Sequence, residues 1–147
     1  MEEERKKSLA FEALKLARLD LLKKLPVLGA AVCVPGQSWS ANGSGTDTET
    51  LYWKVEEVLA WFVEGISVLE RRYLHLLLHG VYLHRFRQRK YMERIWWLAC
   101  DMMVEYRIDR MHVLGFAWPI PGERSRYYRK LREEKIFFSE RALADWL

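Results

Sequence analysis

A chain of 147 residues, half of them apolar and 14% aromatic, has enough apolar surface for a sizeable core, which excludes a wholly disordered chain. Its formal net charge of +4 is unevenly divided: residues 1–67 hold eight Lys/Arg against ten Asp/Glu, and residues 68–147 hold sixteen against ten. The C-terminal half therefore calls for an anionic partner, and with only Cys33 and Cys100 a disulfide-stapled secreted scaffold is excluded in favour of a reducing cytoplasm.

The first predicted element is a helix over residues 3–25. Leu9, Ala13, Leu16 and Ala17 form one strip and Phe11, Leu14, Leu21, Leu22 and Leu25 the adjoining one. Glu2 to Glu4 sit at its positive end and Lys23 and Lys24 at its negative end; Pro26 stops it. The N-terminus is too charged for a signal peptide, and no apolar run approaches the ~20 residues that a membrane helix needs. No membrane partner is expected.

A short apolar piece, VLGAAVCV, leads into PGQSWSANGSGTDTET, which reads as a flexible Gly/Ser/Thr loop over residues 35–50. A second helix is expected from Thr48 or Thr50, capped by Asp47 or Thr48, with Leu51, Val55, Val58, Leu59, Phe62 and Ile66 on one face. A third runs from about Ser67 to His79 and closes at Gly80. The stretch Tyr82–Tyr106, free of Gly and Pro, reads as one central helix. His84, Arg85, Arg87, Arg89, Lys90 and Arg94 load its entry with positive charge, and Ile95, Leu98, Ala99, Met102, Met103 and Tyr106 face the core. After a rigid turn at Trp118 and Pro119, a last helix is expected from Glu123 to the C-terminus, with Tyr128, Leu131, Phe138 and Ala142 packed and Arg124, Arg126, Arg129, Lys130 and Arg132 crowding its first turns. The resulting expectation is all-α: a single helical domain of about five helices, laid out as an N-terminal helix and connector (1–34), the loop (35–50) and a helical core with a basic C-terminal half (51–147).

Few residues propose catalysis. His75 and His79 have the i, i+4 spacing of a metal pair, but a zincin needs Glu where Leu76 stands. Asp101 and Glu105 share a helix face without the separated environments that acid/base chemistry needs. Neither a phosphate-binding glycine motif nor a nucleophile elbow is present. The expectation is a non-enzyme with no catalytic residues, no metal and no cofactor; a small metal-dependent helical enzyme is the competing reading. The stronger signal is the pair of basic segments. Arg85, Arg87, Arg89 and Lys90 form one, and Arg124, Arg126, Tyr127, Arg129 and Lys130 the other, a composition suited to phosphates on double-stranded DNA.

The order of parts resembles the small phage transcription regulators of the RinA/ArpU type, which are themselves similar to region 4 of sigma factors. The resemblance rests on the leading helix followed by SANGSGTDTET, on VEEVLAWFVEGISVLERRYLHLLLHG, and on the final basic ERSRYYRKLREEKIFFSERAL. It implies a helix-turn-helix-like C-terminal half, with Arg124, Arg126, Tyr127, Arg129 and Lys130 on the recognition helix. It also implies a phage-encoded, DNA-binding regulator of transcription in the host cytoplasm, with RNA polymerase as the alternative partner. The eight residues from Gly115 to Gly122 are about twice the turn that a helix-turn-helix uses, and the Trp-rich central helix departs from the family pattern.

Overall fold

The computed structural model describes residues 1–113, 115, 120–136 and 138–147. Two compact units divide the chain, Met1–Val81 and Tyr82–Leu147. The expectation of a single all-α domain is overturned, because the first unit carries a three-stranded mixed sheet and the described residues form seven α-helices rather than about five.

In the first unit, α1 (Glu2–Lys24) runs the length predicted for it. A single 3₁₀ turn at Pro26–Leu28 and the short α2 (Gly29–Cys33) follow. The sheet is built from β1 (Gly36–Trp39), β2 (Gly45–Thr46) and β3 (Thr50–Trp53), which occupy the stretch expected to be a flexible loop and the start of the second helix. β3 is central, parallel to β1 and antiparallel to β2. Side-chain hydrogen bonds explain why so polar a stretch orders. Asp47 Oδ1 accepts from the N–H groups of Glu49 and Thr50 at 3.0 and 2.8 Å, and its Oδ2 accepts from the Tyr52 hydroxyl at 2.8 Å. Asp47 thus caps a strand-to-strand turn rather than a helix. Thr48 at its tip takes φ +87°.

β3 alternates as a half-covered strand does, with Leu51 and Trp53 buried and Thr50 and Tyr52 partly exposed. Gln37 ties the sheet to the helical layer: its amide donates to the Tyr73 hydroxyl at 3.0 Å and its carbonyl accepts from the Trp53 indole at 3.2 Å. Helices α3 (Val55–Glu64) and α4 (Ile66–Val81) pack on α1 and on each other. The start of α3 is tied to the preceding loop, with Ser44 Oγ accepting from Lys54 N and Glu57 accepting from Ser44 N. Gly80 does not end α4, which continues to Val81 and stops where Leu83 turns to φ +54°.

The second unit begins with the largest departure from the expected helices. Residues 82–92 are not the entry of a long helix but a single 3₁₀ turn, His84–Phe86, and a loop with Arg89 at φ +49°. Helix α5 (Glu93–Arg110) starts only after it. The predicted final helix is likewise split into α6 (Gly122–Glu133) and α7 (Glu140–Trp146). Between them Lys135 adopts φ +56°, Ile136 N–H closes back on the Leu131 carbonyl at 2.9 Å, and Ser139 Oγ caps α7 by accepting from Ala142 N at 3.2 Å. Trp96, Ala99, Cys100 and Met103 of α5 form the core with Leu131, Leu143 and Ala144. The buried face is turned from the expected one, since Trp96 is buried and Leu98 is exposed. Eleven residues, 111–121, separate α5 from α6, more than a helix-turn-helix connection allows. The expected turn at Trp118 and Pro119 lies outside the described residues.

One buried acid adds a pH dependence to the stability of the first unit. Glu70 of α4 is fully buried and accepts from Lys24 Nζ at 2.8 Å, while its Oε1 has no hydrogen-bond partner among the described residues. Burial first, then the hydrogen bond to the Asp20 carboxyl, pushes its pKa up to about 7, outweighing Lys24. A pKa raised above the unfolded value of about 4.3 contributes stability that is fully present below that value and is lost as pH rises through about 7. Glu70→Gln should flatten this dependence, so that thermal melts of variant and native protein converge near pH 4 and the variant gains relative stability at pH 8. A constant difference across that range would count against the assignment.

Candidate nucleic-acid interface

In the second unit the charged side chains fall into two sets: those held by buried carboxylates and those on the surface. The first set has two centres. Glu140, at the start of α7, is 2% exposed, and its Oε1 lies 2.8 Å from His84 Nε2 and 2.6 Å from an Arg107 nitrogen. Arg87 approaches its Oε2 at 3.6 Å and also donates to the Tyr82 carbonyl. Burial by itself would raise the Glu140 pKa, but the bonds from His84 and Arg107 outweigh it and hold the carboxyl below its ordinary value. An ionised carboxylate only accepts, so Nε2 of His84 carries the proton between them. Arg107 also stacks 3.7 Å from the centre of the Tyr82 ring, and the Trp96 indole donates to the His84 carbonyl at 2.8 Å.

Asp109, near the end of α5 and equally buried, is the second centre. Arg124 reaches it with two bonds of 2.8 and 3.1 Å, and the Tyr128 hydroxyl donates to it at 2.6 Å. Burial lowers the Arg124 pKa, but the bonds to Asp109 more than offset it and keep the guanidinium above its usual range. Burial, reinforced by Asp109, raises that of Tyr128. The Cys100 thiol in the nearby core is pushed up to about 12, chiefly by burial, which keeps it a protonated and unreactive core side chain.

The predicted site residues therefore separate. Arg87 and Arg124 serve buried carboxylates inside the fold. Tyr127 is half-buried, its hydroxyl 3.5 Å from Met102 Sδ and its pKa raised by burial. Arg85, Arg89, Lys90, Arg126, Arg129 and Lys130 are exposed. Among the described residues, Arg126, Arg129 and Lys130 have no carboxylate partner, and on α6 their three- and four-residue spacing puts them on one side of the helix.

Each of the two basic segments, far apart in sequence, contacts α7. Lys90 Nζ sits 5.4 Å from the Tyr91 ring centre, and the Tyr91 hydroxyl donates to Asp145 at 3.0 Å. On the next residue of α7, the Trp146 ring lies 5.9 Å from Lys130 Nζ and 6.1 Å from the Tyr127 ring. Alongside this surface, α5 and α6 border an open cleft of about 660 Å³. Asp101, Met102 and Glu105 line it from α5, and Glu123, Arg124, Arg126, Tyr127, Tyr128 and Lys130 from α6.

Sequence reading missed Glu140, Arg107 and Asp109 as organising groups. Their only local signal is an acid or base among apolar neighbours, which does not name a partner more than thirty residues away in the case of Arg107 and Glu140. In the first unit, the predicted His75–His79 pair does come together, Nε2 to Nε2 at 3.0 Å, with the two rings hydrogen-bonded to one another.

Arg124→Ala should act on folding: with Asp109 left short of its charged partner, unfolding by denaturant should show a loss of about 1–3 kcal/mol. Arg126→Ala should stay within about 0.5 kcal/mol of the native protein. Glu140→Ala, which strands Arg107 beside His84, should cost about 3–5 kcal/mol in the same measurement. A Glu140→Ala protein as stable as the native one would contradict the role given to this carboxylate.

Comparison with family models, with curated proteins and with solved structures finds no match to this chain.

Proposed function

We propose that the chain binds nucleic acid through the basic surface of its second unit and acts there as a DNA-binding regulator of transcription. The observation that carries the binding is the state of the cations on α6. Arg126, Arg129 and Lys130 are exposed on one side of a single helix with no described carboxylate to neutralise them. Fourteen Lys/Arg against nine Asp/Glu in residues 82–147 give that unit a net positive field. Such a field attracts a polyanion, and each phosphate that it neutralises releases condensed counterions. Tyr91 bonds Asp145 of α7 and Lys130 lies over Trp146 of α7, so both basic segments reach this helix, and the aromatic rings there offer faces on which bases or sugars can rest.

The roles within this reading follow from the geometry. Arg126, Arg129 and Lys130 hold phosphates, joined by Lys90 and Arg89 from the other segment. Arg124, Arg87 and Arg107 keep the surface in shape from within. The exposed cations confer affinity and salt dependence; they do not by themselves select a sequence.

The test is a titration of the purified protein against labelled DNA, duplex and single-stranded, at several salt concentrations. Affinity should fall steeply with salt. Replacing Arg126, Arg129 and Lys130 together by Ala should weaken binding, and the slope of log affinity against log salt should become shallower by about 0.7–0.9 for each phosphate left without its cation. A slope unchanged in the triple variant would place the phosphates elsewhere, and no binding at low salt would remove this reading.

A further inference from the structure

We infer that a recess of the first unit, between α1 and β1, binds a small oxyanion, a phosphate or carboxylate group, on Arg18 and Lys15. The inference stands apart from the basic surface of the second unit and uses none of its residues.

Arg18 is a cation that the fold takes in without an opposite charge. It sits half-buried on α1, and its Nε is buried with no hydrogen-bond partner among the described residues. No described carboxylate pairs with it. Asp20, two residues further along α1, and the buried Glu70 of α4 are both held by Lys24, at 3.0 and 2.8 Å. Within the unit Arg18 interacts with the Tyr73 hydroxyl. Burial pushes the Tyr73 pKa up to about 12, so the phenol stays neutral and leaves the guanidinium charge uncompensated. A partly buried charge without a counter-charge is unfavourable, and an anion taken from solution relieves it.

The recess provides the place for that anion. Phe11, Leu14, Lys15, Arg18 and Gln37 line it, two cations and no acid, around a volume of about 150 Å³. This is below the ~300 Å³ at which sites for drug-sized ligands begin, so it suits a small ion or the anionic end of a ligand rather than a whole nucleotide. Lys15 precedes Arg18 by one turn on the same side of α1 and, being exposed, adds its charge at the rim. Gln37 is held in position by Tyr73 and Trp53, at 3.0 and 3.2 Å, and its second amide N–H is a further donor. A planar guanidinium presents paired N–H groups that match two oxygens of a phosphate or a carboxylate. Phe11 and Leu14 beside the cations offer apolar contact to the group that carries the oxyanion.

The experiment is calorimetric titration of the full chain with inorganic phosphate and with benzoate, each against sodium chloride at equal ionic strength. One of the two oxyanions, or both, should bind saturably where chloride does not. Arg18→Gln should weaken that binding by about tenfold or more, the loss of a hydrogen bond to a charged group. Lys15→Gln should weaken it about threefold, as a solvent-exposed ion pair does. A thermal melt checks that Arg18→Gln is folded; if it is not, the exposed Lys15 decides. The Ala triple variant at Arg126, Arg129 and Lys130 should bind the anion as the native chain does, which separates this recess from the basic surface of the second unit. Tighter phosphate binding would identify a phosphorylated small molecule as the source of the oxyanion, and tighter benzoate binding a carboxylate on an apolar body. No saturable binding of either, or binding that chloride reproduces, would overturn the inference. So would an affinity unchanged by both recess variants, or one lost in the α6 triple variant instead.

Discussion

A buried carboxylate that has to stay charged governs the second unit. Taking Glu140 out of water is unfavourable by several kcal/mol, and it is tolerated only because His84 and Arg107 bond it directly while Arg87 stands close. These partners come from the 3₁₀ turn and loop after Val81 and from α5, so satisfying one acid fixes where each of these segments lies against α7. A continuous helix through residues 82–92 would have kept the basic residues around its cylinder. Instead the backbone turns at Leu83, His84 is fully buried, and α5 begins at Glu93.

The same physics repeats at Asp109, and together the two acids sort the arginines. Arg87, Arg107 and Arg124 lie against buried carboxylates, where they satisfy charge within the fold. Arg126, Arg129 and Lys130 look outward from α6. Composition treats all six alike, but only the second group has its charge available to a solvent-borne partner. The basic surface is thus smaller than the arginine count suggests, yet better defined, since the neighbouring helix ends are held in place by the internal pairs.

In the first unit a similar trade decides the sheet. The Gly/Ser/Thr/Asp stretch is polar enough to remain in water, and its local pattern is that of a loop. It orders because its own side chains satisfy the turn, Asp47 taking two backbone N–H groups and the Tyr52 hydroxyl. Leu51 and Trp53 gain burial beside Tyr73 once β3 is in place. The alternation in TLYW was visible in the chain, but four residues also fit the face of a following helix, and the apolar positions Leu51, Val55 and Val58 suited that continuation.

The sequence by itself determined the helices whose apolar period runs unbroken between clear stops: α1 up to Pro26, α4 up to its last turn, and the core half of α5. It also determined that positive charge concentrates in the C-terminal half, because charge is a property of composition. Only the tertiary structure decided that the chain forms two units, that a polar loop becomes a sheet, and that two predicted helices break at Leu83 and Lys135. It decided as well which arginines face inward. The placement of the arginines and the docking of the sheet depend on partners distant in sequence, Glu140 for His84 and Arg107, Tyr73 for Gln37. Local propensity differs by less than about 1 kcal/mol per residue between ordinary choices, whereas an unpaired buried charge costs several, so the long-range partner prevails.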